Sequence, residues 1–250
     1  MGSVEITLIA WACMFFGVQL GNVIRRYSPE HHRSGDSKDA IMAGSAVIGT
    51  LAALVLGLMV SSASKNFDAL NGGLTENAAS YIDLDRILDQ YGSDANPTRE
   101  LLKRGVEAEI KRIWPKDGAE VPAITYSTEL EAVASSLRGL NPQDESQRIL
   151  KSRAMQLVGG ALEQRWHVVA QSHTYVPTTF VVIVVFWFTV LFAIFTLLSP
   201  SNATVNLFML FCTIAVAGGI FLVLDMSQPF SGLITVNRGP MEAAFNLLGH

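Results

Sequence analysis

Four segments of the chain, each about 20 residues long, are apolar and have no Asp, Glu, Lys, Arg or His in their interior: 6–24, 40–63, 176–198 and 204–224. An α-helix needs about 20 apolar residues to cross the roughly 30 Å hydrocarbon core of a bilayer, so each segment is predicted to span the membrane. The first segment does not have the polarity of a secretory signal peptide, because Glu5 precedes it and Arg25 and Arg26 follow it. We therefore expect a multi-pass membrane protein with four spans.

Charged residues are concentrated in the one long segment between the second and third spans. Of the whole chain 16% is charged, against about 25% in soluble domains, yet residues 65–165 hold 13 of the 18 basic and 16 of the 22 acidic side chains. This distribution predicts a water-soluble insertion and a short tail that packs on it or at the membrane surface. The predicted domains are a membrane hairpin at 1–63, a soluble helical domain at 64–175, a second membrane hairpin at 176–224 and a C-terminal tail at 225–250.

The soluble segment has the periodicity of helices, with apolar residues three and four positions apart. Its clearest apolar stripe consists of Leu74, Ala78, Tyr81, Leu84, Leu88 and Tyr91. Gly92 directly follows and is expected to end that helix. No alternating run is long enough for a strand. The predicted fold class is an all-α membrane protein, with four transmembrane helices and a helical bundle inserted between spans two and three.

Three helix starts can be predicted from capping residues. Asn96 with Pro97, and Asn141 with Pro142, have the order of an N-cap followed by a first-turn proline. Thr128 is expected to open a shorter helix, because Ser or Thr followed three residues later by Glu forms a capping box. These starts divide the insertion into several helices.

The second span has small residues at every fourth position: Ser45, Gly49, Ala53, Gly57 and Ser61. One interpretation is close helix packing, in which small residues four apart let two backbones approach. The other is a pore, in which small side chains and hydroxyl groups leave room for ions. The pattern alone favours packing, although one helix can present both a packing surface and a pore surface.

The usual catalytic motifs are absent from the sequence, which has no phosphate-binding loop, dinucleotide fingerprint, nucleophile elbow or zinc-protease motif. Glu30, His31 and His32 are metal-ligand types, but adjacent histidines in a polar loop point in different directions, and a solvated loop is the better interpretation. Cys13 and Cys212 lie inside predicted spans without ligand spacing. We therefore predict no enzyme, no catalytic residue, no cofactor and no metal.

Two further classes are disfavoured by the charge distribution. The net charge of −4 provides no basic face for nucleic acid. An ion-coupled pump usually carries ionisable residues inside its spans, and the four segments have none. A passive pore and a membrane scaffold require no such charges, so the charge distribution disfavours neither function.

Several stretches resemble the bestrophin-like family, a group of four-span bacterial membrane proteins. They are PEHHRSGDSKDAI at 29–41, LAALVLGLMVSSA at 51–63, RIWP at 112–115, LEQRW at 162–166 and the D-x-x-x-P-F-S-G-L-I-x-V pattern at 225–236. By its name and layout the family is similar to bestrophins, which are oligomeric anion-permeable channels whose second membrane helix lines the pore. The resemblance implies a homo-oligomer in contact with membrane lipids and inorganic ions, with Ser45, Gly49, Ala53, Gly57 and Ser61 along its pore and the helical domain as a vestibule.

Two arguments about the membrane topology disagree. Arg25, Arg26, Arg33 and Lys38 place the 25–39 loop in the cytoplasm by the positive-inside rule, and thus the helical domain in the periplasm of a bacterial inner (plasma) membrane. The resemblance to bestrophins instead implies a cytosolic helical domain.

The alternative function is a non-conducting scaffold or sensor whose helical domain binds a partner or ligand.

Overall fold

The computed structural model describes residues 2–27, 35–115, 128–172, 178–200, 202–230 and 232–249. Throughout these ranges the long regular elements are α-helices, which confirms the predicted all-α membrane fold. Four of them are long and apolar enough to cross a membrane, at the four predicted positions. The helices are α1 (Ser3–Tyr27), α2 (Asp36–Tyr91), α3 (Asn96–Ile113), α4 (Thr128–Gly139), α5 (Glu145–Ser172), α6 (Thr178–Leu198), α7 (Ala203–Met226) and α8 (Gly239–Leu247).

The chain forms two compact units. The membrane unit comprises residues 1–65 and 175–228, and the helical unit comprises residues 66–174 and 229–250. Helix α2 is unbroken over 56 residues and contributes to both. We call its residues 36–65 the membrane half and its residues 66–91 the domain half.

The membrane unit is built around the packing of α1 on α6 and α7. Two glycines of α1 make the closest approach. A Cβ added to Gly17 would lie 2.4 Å from the backbone oxygen of Thr189, and one added to Gly21 would lie 2.4 Å from that of Ala193. Any larger residue at either position would force the α1 and α6 backbones apart.

The core of the helical unit joins the domain half of α2 to α3, α4, α5 and α8. All six residues of the predicted apolar stripe, from Leu74 to Tyr91, are buried. Gly92 has a φ of 110° and follows the last residue of α2, as expected for a helix-ending glycine. The local pattern therefore predicted both the buried side and the end of this helix.

Two of the predicted N-caps are wrong. A 3-10 helix, Ser93–Ala95, leads directly into α3, so Asn96 is already helical and Ala95 is the residue before the helix. Helix α5 begins three residues later than Pro142, because an Asp144 carboxylate oxygen accepts the backbone N–H of Gln147 at 2.7 Å. Helix α4 is described from Thr128 onwards, and both the side chain of Thr128 and the residues before it lie outside the described part of the chain.

The C-terminal segment packs within the helical unit. Met241, Ala244 and Leu248 are almost fully buried in its core. Met241 and Ala244 lie one turn apart on α8, and Leu248 directly follows the helix. One apolar side of the segment therefore faces the other helices of this unit.

Candidate functional site

The membrane half of α2 is the least covered of the four candidate spans. In its most apolar window 11% of the residues are buried, against 28% in each of the other three. The exposed side of this half is therefore the surface on which we place the candidate site.

The two predicted site residues nearest the start of α2 face the protein. Ser45 is 2% exposed, and its hydroxyl donates to the backbone oxygen of Ile41 at 2.7 Å. Gly49 is partly covered, since a Cβ there would lie 3.8 Å from Leu191 Cδ1 of α6. Both positions belong to contacts within one copy of the chain.

The other three predicted residues, Ala53, Gly57 and Ser61, are exposed. Among the described residues, no atom outside α2's own backbone lies within 4 Å of the position that a Gly57 Cβ would take. A four-residue step advances about 40° around a helix, so the five predicted positions cover about 160°. The structure consequently brings Ala53, Gly57 and Ser61 to one side and turns Ser45 away from them.

Five exposed small residues of α2 form one strip, which we call the small-residue face: Ala46, Thr50, Ala53, Gly57 and Ser61. They lie within about 80° of arc, given about 100° per residue. The Thr50 hydroxyl donates to the backbone oxygen of Ala46 at 2.8 Å. Sequence reasoning missed Ala46 and Thr50 because it followed a fixed four-residue step, whereas the helical period of 3.6 residues includes them.

A strip of large apolar residues lies beside the small-residue face: Val47, Leu51, Leu54 and Leu58. We call it the bulky face. Each of the four side chains is between 47% and 62% exposed. The membrane half of α2 therefore presents two uncovered strips side by side, one small and partly polar and the other large and apolar.

Close packing of small residues occurs on a different helix from the one that the sequence pattern favoured. It uses Gly17 and Gly21 of α1, which lie in the stretch GVQLG, a small-xxx-small pattern that was visible in the sequence and was missed. Gly57 makes no such contact within the described part of the chain. Packing within the described part of one copy thus does not account for Gly57.

A partly buried ion pair lies in the helical unit. The Asp85 carboxylate, 4% exposed, accepts Arg99 Nε at 2.9 Å and Nη2 at 3.0 Å, and also the Gly249 backbone N–H at 3.2 Å. Burial raises the pKa of Asp85, but hydrogen bonds from Arg99 and Gly249 and the charges of Arg99 and Lys103 outweigh it and hold that pKa below its ordinary value. Hydrogen bonding to Asp85 raises the pKa of Arg99. The pair stays ionised at neutral pH and holds the C-terminal segment.

An open cavity of about 280 Å³ adjoins this ion pair. It is lined by Ile82, Asp85, Arg86, Asp89, Gln90, Arg99 and Leu247. The two arginines and two aspartates balance in charge, and Arg99 also donates to Asp89 at 2.7 Å. The charged groups of the cavity wall are therefore partly satisfied by one another.

A second buried carboxylate belongs to the membrane unit. Asp225 is 0% exposed in the last turn of α7, and the Ser3 hydroxyl donates to it at 3.0 Å. It lies one residue beyond the predicted span, so the sequence pattern did not identify it as buried. The hydrogen bond joins the first turn of α1 to the last turn of α7.

The metal-ligand types considered from the sequence, Glu30, His31 and His32, lie outside the described residues. Within the part of the chain that is described, no group of three or more His, Cys, Asp or Glu side chains could hold a metal ion.

Comparison with known proteins gives a family and a fold. The family model of the Bestrophin-like domain matches residues 12–241. Two variant structures of a bacterial bestrophin homologue from Klebsiella pneumoniae are similar at TM-scores of 0.71 and 0.68, with 11% and 12% identity. The alignments cover 99% and 96% of this chain and 97% of each of those chains. No protein with a curated description matches the chain. At such low identity the structural likeness establishes the fold.

Proposed function

Because the chain belongs to the bestrophin-like family, we propose that it is a homo-oligomeric, anion-permeable membrane channel. In this proposal the membrane half of α2 lines a central pore and the helical unit forms a vestibule. Family membership and the bestrophin fold support a channel-type membrane protein. The anion preference is inferred from the resemblance to bestrophins, and the pore lining from the surface of α2.

The observation that carries the proposal is the uncovered small-residue face beside the uncovered bulky face. Small side chains turned towards lipid leave few atoms for acyl chains to contact, whereas towards the axis of an oligomer they leave space for ions. The bulky face can pack against the next copy of α2 in the same arrangement. The two strips therefore suit a ring of α2 helices.

The chemistry of the small-residue face suits passive conduction. It has no ionisable side chain, and the hydroxyls of Thr50 and Ser61 can replace part of an ion's hydration shell. Lys65 and Asp68, both exposed, follow at the end of the membrane half. Because the face holds no fixed charge, ion selectivity must depend on pore width, hydroxyl dipoles and the charges at its ends.

Planar bilayers containing the purified full-length protein provide the test. We expect unitary currents whose reversal potential in a salt gradient follows the anion, and Gly57→Leu should lower the conductance by about tenfold, since it fills the small-residue face. Gly218→Leu is the matched control, because Gly218 of α7 is also exposed with open space around it. Mass measurement of both variants should give the wild-type oligomer. Failure of the wild type to conduct would remove the channel proposal, and equal currents in both variants would remove the pore assignment.

A non-conducting scaffold or sensor is the second candidate, favoured by the cavity beside Asp85 and Arg99. It predicts no current, together with a ligand or partner that shifts the unfolding temperature of the helical unit. Arg86→Ala, which changes an exposed cavity residue outside the ion pair, should weaken that shift. Currents from the wild type, without any ligand-dependent shift, would exclude this candidate.

We place the protein in a bacterial inner (plasma) membrane. The positive-inside count predicts a periplasmic helical unit, and the bestrophin topology predicts a cytoplasmic one. Single cysteines at Ser34 and Asp94, introduced after replacement of Cys13 and Cys212, would be labelled in intact cells by an impermeant thiol reagent. Labelling at Asp94 alone supports the periplasmic arrangement, and labelling at Ser34 alone supports the cytoplasmic one.

A further inference from the structure

We propose that the open cavity beside the Asp85–Arg99 ion pair is a binding site for a free amino acid with an apolar side chain. The cavity lies entirely within the helical unit, and its walls come from α2, α3 and α8. Binding there does not depend on whether the protein conducts ions. It also gives a chemical class to the ligand that the scaffold or sensor candidate requires.

The walls of the cavity are held in place by buried contacts. Asp85 of α2 is 4% exposed and accepts two hydrogen bonds from Arg99 of α3. It also accepts the backbone N–H of Gly249, so the C-terminal segment is fixed against the other two helices. Leu248 is buried in the same core, while its neighbour Leu247 lies on the cavity wall. The cavity is therefore preformed, which lowers the free-energy cost of binding.

Two charged groups on the wall keep hydrogen-bonding capacity for a ligand. Arg86 is exposed and makes no hydrogen bond or ion pair with any described residue. Asp89 accepts Arg99 through Oδ1, and its Oδ2 accepts no hydrogen bond from the described part of the chain. Asp89 follows Arg86 by three residues on α2, a spacing that puts two Cβ atoms about 5–6 Å apart on one helix face. One small molecule can therefore contact both groups.

The charges of the wall favour a ligand that carries both signs. Arg86 attracts an anion, but Asp85 and Asp89 repel it across the same cavity. The two aspartates attract a cation, but Arg86 and Arg99 repel it. An amino acid has its carboxylate and its ammonium group on the same carbon atom, so the carboxylate can bind Arg86 while the ammonium group binds Asp89. Charge-assisted hydrogen bonds of this kind are about twice as strong as neutral ones.

The size and the apolar lining of the cavity restrict the rest of the ligand. Its volume of about 280 Å³ is just below the roughly 300–1,000 Å³ of pockets that hold drug-sized molecules. Ile82 and Leu247 form the apolar part of the wall, and Leu247 is 54% exposed. An apolar side chain that covers Leu247 would remove this surface from water. Leucine is therefore a suitable probe.

Isothermal titration calorimetry of the full-length protein in detergent tests the proposal with L-leucine. We expect a dissociation constant of about 1 mM or lower. Arg86→Ala and Asp89→Asn should each weaken binding about tenfold or more, because each removes a charge-assisted hydrogen bond. Arg104→Ala is the matched control and should bind as the wild type does, since Arg104 is an exposed arginine of α3 outside the cavity. No binding of leucine, or binding that survives Arg86→Ala, would overturn the proposal.

Analogues of leucine distinguish a site for an amino acid from a site for a simple ion. Isocaproate lacks the ammonium group and isopentylamine lacks the carboxylate, so each should bind about tenfold more weakly than leucine or worse. Glycine keeps both charges but has no apolar side chain, and it should also bind more weakly. Isocaproate that binds as tightly as leucine would indicate an anion site at Arg86 and overturn the proposal, and so would glycine of equal affinity. Currents in planar bilayers are a separate measurement, so failure of the channel proposal is distinguishable from failure of this one.

Discussion

The two halves of α2 form one continuous helix, yet they differ in how much of their surface the rest of the chain covers. In the domain half, apolar residues from Leu70 to Tyr91 are buried in a regular stripe. In the membrane half, the bulky face and the small residues Ala53, Gly57 and Ser61 are exposed. Substitutions in the domain half should therefore change the stability of the fold, whereas substitutions on the exposed side of the membrane half should change function while the fold stays intact.

The largest expected effect contrasts a covered glycine with an uncovered one. Gly17→Leu should destabilise the membrane unit by about 3 kcal/mol or more, because even a Cβ would meet a backbone oxygen of α6 at 2.4 Å. Gly57→Leu should leave the unfolding temperature in detergent at the wild-type value. Equal losses of stability in the two variants would show that the small-residue face is packed, and would contradict the predicted difference between Gly17 and Gly57.

The second-largest expected effect concerns the ion pair between Asp85 of the domain half and Arg99 of α3. Asp85→Asn should lower the free energy of unfolding of the helical unit by about 3 kcal/mol, since it leaves Arg99 without its main partner. Asp89→Asn is the control, because Asp89 is 63% exposed and exposed pairs contribute about 1 kcal/mol or less. Denaturant unfolding measures both, and a larger loss at Asp89 would contradict the assignment.

The same ion pair predicts a pH dependence. The pKa of Asp85 is lowered in the folded protein, so its contribution is fully present above its unfolded-state pKa of about 3.9 and is lost as pH falls through the lower folded-state pKa. The stability difference between wild type and Asp85→Asn should shrink as pH is lowered from 5 to about 3. A difference that stays constant over that range would show that the Asp85 pKa is not lowered.

A smaller effect separates two tyrosines of the domain half. The Tyr81 hydroxyl donates to Glu109 at 3.0 Å, and Glu109 is only 8% exposed, so Tyr81→Phe should cost about 1–2 kcal/mol. The Tyr91 hydroxyl is buried without a hydrogen-bond partner among the described residues. Tyr91→Phe should therefore be neutral or stabilise the unit by up to about 1 kcal/mol. Thermal unfolding distinguishes the two, and a loss at Tyr91 equal to that at Tyr81 would contradict the expectation.

Much of the fold could be predicted because its determinants are local. Span length follows from runs of apolar residues, and the buried stripe of the domain half follows from a 3.6-residue period. Caps were less predictable. Asn141 and Asp144 are both good N-cap types, and residue type alone did not show that the helix begins after Asp144, whose carboxylate accepts the Gln147 backbone N–H.

The candidate site could be predicted only in part. The sequence singled out α2, whose membrane half is the least buried of the four candidate spans, and included Ala53, Gly57 and Ser61, which are exposed. It also included Ser45, which is covered within one copy, and omitted Thr50 and Ala46, which are exposed. The GVQLG stretch of α1 has the same small-residue spacing as α2, so spacing alone could not distinguish the helix that packs from the helix that stays open.

The sequence by itself therefore determined the four spans, the helical insertion and the buried side of the domain half, because hydrophobic length and helical period are properties of neighbouring residues. The tertiary structure decided that α6 lies on the glycines of α1, that Asp225 is buried against Ser3 and that the small-residue face of α2 is exposed among the described residues. These outcomes depend on contacts between residues far apart in the sequence. The physical reason is that a helix presents several possible packing faces at once, and only its neighbours determine which of them is covered.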